Sequence, residues 1–291
     1  MSEQAEASKA DASTAVDQAP KAPKGGRNLP AAIGVGAALG ALLLLGLWLP
    51  PVLALTAAAA SVLGVWEILT VLNDRAGYGT PRWVAAPLAF AFIPASYHFG
   101  LKGTAAALGV SLVIIAIATL FTGSKRQVGY FKSLGGSMMA MLWVPTLLGI
   151  GLAYFATERG WAGILLALLM AICNDTFGYI AGVNFGKHPL APVISPKKSW
   201  EGLAGSFIGS AAVACTVIGL FGHLFWWGMP FAALMVIVAT AGDLLESIFK
   251  RRMGIKDMSN LIPGHGGMMD RLDSIVWTVG VGCLIFSIWP L

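Results

Sequence analysis

"MPFAALMVIVATAGDLLESIFKRR", residues 229–252, decides the fold. No charge interrupts it before Asp243, and it closes on Lys250, Arg251 and Arg252. About 20 apolar residues in a helix cross the hydrocarbon core of a bilayer. A basic cluster at the end of such a run marks the cytoplasmic surface. The stretch therefore reads as a transmembrane helix that carries two carboxylates, Asp243 and Glu246, at membrane depth.

The rest of the chain agrees. Its 291 residues are 57% hydrophobic and only 11% charged. A soluble domain carries about 25% charged residues. The composition points to an all-α, polytopic integral membrane protein, and the net charge of +5 reports topology rather than nucleic-acid binding. Nine spans follow, at roughly 31–49, 52–72, 83–99, 103–122, 134–156, 160–183, 203–222, 229–249 and 272–290. With the N-terminus in the cytoplasm, every Lys and Arg except Lys102 and Arg159 falls on the cytoplasmic side. The C-terminus then lies on the periplasmic side. Residues 1–28 are rich in Ala, Ser and charge and read as a disordered polar tail. Residues 29–291 form the membrane-embedded domain. Cys173, Cys215 and Cys283 lie in apolar stretches without metal or disulfide spacing.

Chemistry gathers in the last 120 residues. In the quoted helix, Asp243, Ser247 and Lys250 share one face, with Glu246 at i+3. Carboxylates at membrane depth face a cavity or a partner. Hard cations such as Mg²⁺ take carboxylate oxygens, so Asp243 reads as a metal ligand; Glu246 faces either the site or the interface. After the helix comes "IPGHGGMMDRLDS", residues 262–274. Its Gly266 and Gly267 let backbone N–H groups approach phosphate oxygens. Asp270 and Asp273 stand at i, i+3 and can converge. Arg271 offers a bidentate phosphate contact. His265 fits a proton donor, a phosphate ligand or a structural residue.

Two more stretches face the same side. "CNDTFGYIAGVNFGK", residues 173–187, sets Asn174 and Asp175 about two turns below the surface. Asn174 fits an interhelical hydrogen bond or a ligand contact. "SPKKSWEG", residues 195–202, has Ser195 and Pro196 in the order of a helix N-cap and first position. Lys197 and Lys198 beside that helix start suit either a polyphosphate or anionic lipid. Glu67, in the second span, pairs with the site or serves the fold. His188 lies in the loop before the lysines. Acids within the membrane beneath basic, glycine-rich loops point to phosphoryl or nucleotidyl transfer onto a lipid phosphate.

"SIFKRRMGIKDMSNLIPGHGGMMDRLD", residues 247–273, resembles the signature of the phosphatidate cytidylyltransferases, the CDP-diacylglycerol synthases. Ser247, Lys250, Arg251, Lys256, Asp257, His265, Gly266, Gly267, Asp270, Arg271 and Asp273 carry the match. The "ND" pair and "SPKKSWEG" resemble further family segments, although Gly178 and Ser199 stand where Ala and Thr are common. The resemblance implies that residues 170–291 carry the active site of an enzyme of phospholipid biosynthesis. It implies transfer of CMP from CTP to phosphatidate, with release of pyrophosphate.

By the same resemblance, Asp243, Asp270, Asp273 and Asp175 surround metal. Asp243, Asp270, Asp273, Lys250 and His265 are the expected catalytic group. Ser195, Lys197, Lys198, Ser247, Arg251, Lys256, Gly266, Gly267, Arg271 and Asn174 are expected to meet substrate. Mg²⁺, a monovalent cation such as K⁺, a homodimer and a multi-pass place in a bacterial inner membrane complete the expectation, with the site facing the cytoplasm. A CTP-dependent polyprenol kinase and a multispan transporter are the rival readings.

Overall fold

In lipid, a chain must satisfy its backbone internally, and these apolar runs do so as helices. The computed structural model describes residues 29–122, 128–262 and 266–289. The expected tail 1–28, Lys125, Arg126, His265 and the last two residues lie outside them. The helices are α1 (Leu29–Trp48), α2 (Pro50–Ala76), α3 (Arg82–Thr122), α4 (Tyr130–Phe155), α5 (Gly160–Phe185), α6 (Trp200–Leu220), α7 (Gly228–Arg252), α8 (Met269–Leu272) and α9 (Ile275–Ile288). Six described helices are long and apolar enough to cross a bilayer, namely α2 to α6 and Phe225–Arg252, which is α7 with the short turn before it. Within α1, Gly36–Trp48 is a shorter apolar helix, as is α9.

Helix α3 joins two expected spans. Its 41 residues would reach about 60 Å if straight, twice the hydrocarbon thickness. It reverses at Gly100, whose φ of 61° and ψ of −150° are outside the helical region. Thr104 Oγ1 donates to Ser96 Oγ at 2.8 Å across the bend. At the other end, Thr122 Oγ1 donates to the carbonyl of Gly79, just ahead of the helix, so both ends of α3 meet. The Ser133 hydroxyl of α4 accepts from Gly79 N at 2.9 Å and joins them.

The buried core runs through the centre of the bundle. Ile68 and Leu69 of α2, Phe92 of α3, Met141 and Val144 of α4, Leu166 and Met170 of α5, Met235 of α7 and Val276 of α9 are all fully buried. Helix α4 widens into a π turn at Leu142–Thr146, where Pro145 supplies no N–H to the regular ladder. Helices α5 and α6 approach closely through small residues: a Cβ on Gly202 would stand 2.9 Å from the Gly178 carbonyl.

One expectation fails here. Residues 195–199 do not begin a helix. They form β2 (Ser195–Ser199), paired antiparallel with β1 (Pro189–Ala191). The helix start is four residues later, where Ser199 caps α6 by accepting from Gly202 N at 3.0 Å. The cause is Glu201. One of its oxygens accepts from Lys187 N and His188 N at 3.1 and 3.3 Å, and the other meets His188 Nδ1 at 2.6 Å. Those bonds clamp the start of the hairpin to the first turn of α6 and hold the segment between them extended. Pro196 has no N–H to offer but tolerates a short edge strand as well as a helix start.

Candidate active site

Helix α7 supplies the floor of the site. Asp243 and Glu246 are one turn apart, and α8 ends where Asp273 can join them. Each of the three presents an oxygen, and these oxygens lie within 4.8 Å of one another. Glu246 is completely buried, and its Oε1 has no hydrogen-bond partner. A buried, unpaired carboxylate oxygen is costly unless something positive meets it. Three hard oxygen donors, with an unpaired Glu246 oxygen among the carboxylates that supply them, fit a divalent cation of the Mg²⁺ type.

Lys250 lies two turns along α7 from Asp243, toward the basic end of the helix. Its Nζ donates to Glu246 Oε2 at 2.7 Å and to Asp270 Oδ1 at 2.8 Å. Asp270 is therefore fixed otherwise than Asp273. Its second oxygen accepts from the backbone N–H groups of Met258 and Gly267, both at 2.8 Å. Asp270 pins the loop to α7, and Lys250 links it to the carboxylate trio. Gly266 has a φ of 84°, which favours glycine, and a Cβ there would crowd the Asp270 carboxylate at 2.9 Å.

Above the floor lies a cleft of about 310 Å³, between α5, α6 and the hairpin. Asn174, Asp175, Ser195, Lys197, Lys198, Ser199 and Thr240 bring its polar groups. Lys198 reaches from β2 to Asp243 in a salt bridge, so the cleft and the carboxylate floor are continuous. Ser247 Oγ donates to Asp243 from the other side at 3.4 Å. Asn174 is buried; it accepts from Thr240 Oγ1 of α7 at 3.3 Å and donates to Asp175 at 3.1 Å. It makes the expected interhelical bond, tying α5 to α7, and it also lines the cleft. Lys197, Arg251, Lys256 and Arg271 are exposed.

The structure brings together Asp243, Asp273, Asp175, Lys198 and Lys250 from four separate stretches of sequence. Glu246, which the spacing left between site and interface, belongs to the site. Glu67 reaches the loop that leads to Asp273. One of its oxygens accepts from Ser259 Oγ at 2.6 Å and Met268 N at 2.9 Å, the other from Met269 N at 2.9 Å. Sequence reasoning found Glu67 as a buried acid but had no spacing that paired it with a loop about 200 residues away. Glu201 and its clamp on His188 were missed; a carboxylate in the first turn after a Ser cap was the available signal.

The profile of the Cytidylyltransferase family matches residues 29–289. A phosphatidate cytidylyltransferase of Mycobacterium bovis is 36% identical over 282 residues, covering 92% of this chain and 91% of its own. One from Pseudomonas aeruginosa is 35% identical over 249 residues, 78% of this chain and 85% of its own. One from Thermotoga maritima is 31% identical over 205 residues, 68% and 75% of the two chains.

Proposed function

Because the chain belongs to the cytidylyltransferase family, we propose that it transfers the CMP unit of CTP to phosphatidate, giving CDP-diacylglycerol and pyrophosphate in phospholipid biosynthesis. The observation that carries this reading is the convergence of three carboxylates with Lys198 and Lys250 beneath a polar cleft. A phosphate oxygen of phosphatidate attacks the α-phosphorus. The bond from that phosphorus to the bridging oxygen breaks, and pyrophosphate leaves with the electron pair. No side chain forms a covalent intermediate, since positioning and charge neutralisation suffice.

Asp243, Glu246 and Asp273 are the residues that would hold Mg²⁺, with Asp175 and Asp270 beside them. When bound, the ion offsets negative charge on the reacting phosphates. Lys197 and Lys198 receive the triphosphate from the hairpin, helped by Ser195. Lys250, Arg251, Lys256 and Arg271, with Ser247 and the N–H groups of the glycine loop, offset charge from the α7 side. Lys250 also keeps Glu246 and Asp270 from repelling each other. A monovalent cation such as K⁺ and a homodimer belong to the same reading.

The topology proposed is nine crossings, with α3 counted as two on either side of Gly100 and α1 and α9 added to the six long helices. The N-terminus is cytoplasmic, the C-terminus periplasmic, and the site opens to the cytoplasm. The distribution of Lys and Arg supports that orientation.

Purified protein with CTP, phosphatidate and Mg²⁺ is expected to yield CDP-diacylglycerol and pyrophosphate one to one. Phosphorylation of a polyprenol without pyrophosphate release would overturn the reading in favour of a lipid kinase.

A further inference from the structure

Among the described residues between α7 and α8 there is one isolated bridge, Ile262 to Gly266, and the backbone is otherwise irregular. Yet its far end lies deep against α2. Glu67 is 4% exposed and stands nine residues before the end of its helix, about 14 Å along the axis. Irregular backbone at membrane depth survives only where the protein satisfies its N–H groups. Two carboxylates do so here. Asp270 accepts from Met258 and Gly267, and Glu67 accepts from Met268 and Met269. The fit to Glu67 is tight: a Cβ on Gly267 would lie 2.7 Å from its Oε2. Met269, the next residue but one, is fully buried. Four residues on from Met269 comes Asp273, whose oxygen belongs to the carboxylate trio.

On the reading that this site transfers a nucleotide, we infer that Glu67 is a positioning residue for it. From the opposite half of the chain, Glu67 fixes the depth and direction of residues 267–269 and, through the turn of α8, the place of Asp273 beside Asp243 and Glu246. Glu67 touches no reacting atom. It acts by holding two consecutive N–H groups and the Ser259 hydroxyl.

The test uses full-length protein in detergent. Glu67→Gln keeps the shape but turns one acceptor into a donor that faces backbone N–H. Without metal or nucleotide, amide exchange at Met268 and Met269 should quicken by about tenfold, the scale of one lost charge-assisted hydrogen bond. In the pyrophosphate-release assay, the Mg²⁺ concentration for half-maximal rate should rise about fivefold or more, while KM for CTP stays within about twofold. Gly267→Ala perturbs the same contact from the other side and should move both readouts the same way. The double variant should be no worse than the worse single, because both changes break one contact.

Unaltered exchange in folded Glu67→Gln would overturn the inference. So would a lower rate at unchanged Mg²⁺ dependence, or a double variant whose effect is the product of the singles. If Glu67→Gln does not accumulate, Ser259→Ala removes one of the three bonds and should shift both readouts about threefold; no shift would overturn the inference equally. If the unaltered protein releases no pyrophosphate, the nucleotidyl-transfer reading falls, and the exchange measurement alone decides whether Glu67 holds the segment.

Discussion

Lys250 donates to Asp270, twenty residues further along the chain, at 2.8 Å, and to Glu246 one turn back on its own helix at 2.7 Å. One ammonium thus joins the metal-type carboxylates to the glycine loop. Its side chain is only 14% exposed, so solvent does little to replace it. Lys250→Met would leave two buried carboxylates facing each other. Breaking a buried pair by removing one partner costs about 3–5 kcal/mol. The expected outcome is a clear drop in the thermal midpoint of the detergent-solubilised protein together with loss of turnover. An unchanged midpoint would contradict the bridging role.

Asp243→Asn, Glu246→Gln and Asp273→Asn should each cut pyrophosphate release by about 100-fold or more, since each removes part of the charge that would hold Mg²⁺. For Asp243→Asn and Asp273→Asn the folded fraction should stay near that of the unaltered protein. Chelation with EDTA should abolish turnover, and added Mg²⁺ should restore it. Asp270→Asn is expected to differ, because its oxygens hold Lys250 and two backbone N–H groups. It should lower stability as well as rate. Full activity in Glu246→Gln would remove that residue from the ion's ligand set.

The two hairpin lysines should separate in kinetics. Lys197 is exposed on the cleft, so Lys197→Ala should raise KM for CTP by about fivefold with kcat nearly kept. Lys198 also meets Asp243, so Lys198→Ala should lower kcat too. Raising the salt concentration should weaken CTP binding in the unaltered protein more than in Lys197→Ala. Identical profiles for the two variants would argue against distinct places.

A reporter fused after Leu291 should read as periplasmic, and one fused in the loop at Asp257 as cytoplasmic. A cytoplasmic signal at both sites would break the nine-crossing topology.

Much of this architecture is legible in the sequence because hydropathy is a local property. The apolar runs that mark spans 52–72, 160–183 and 229–249 lie inside α2, α5 and α7. That Asp243 and Lys250 share one helix face was readable from spacing alone. What was not readable depends on distant partners. Ser195 followed by Pro196 has the same local signature at a helix start and in an edge strand; the choice is made by Glu201, which binds back to residues 187 and 188. Glu67 finds its loop from about 200 residues away, and no periodicity records that. Glu246 shows its i+3 spacing in the sequence, but its complete burial depends on what packs over α7.

The reversal at Gly100 governs parity. Thr122 returns to Gly79, so in the proposed topology α3 adds an even number of crossings to the chain. The start of α4 therefore emerges on the face where α2 ended, and the ends of α5 and α7 return to it. Without that left-handed residue, a helix of the same composition would exit on the opposite face and carry everything downstream with it. Glu67 and its loop would then open toward different compartments. In the proposed topology, the backbone of one residue, with nothing within 4 Å of where its side chain would be, keeps the two halves of the site on one side of the membrane.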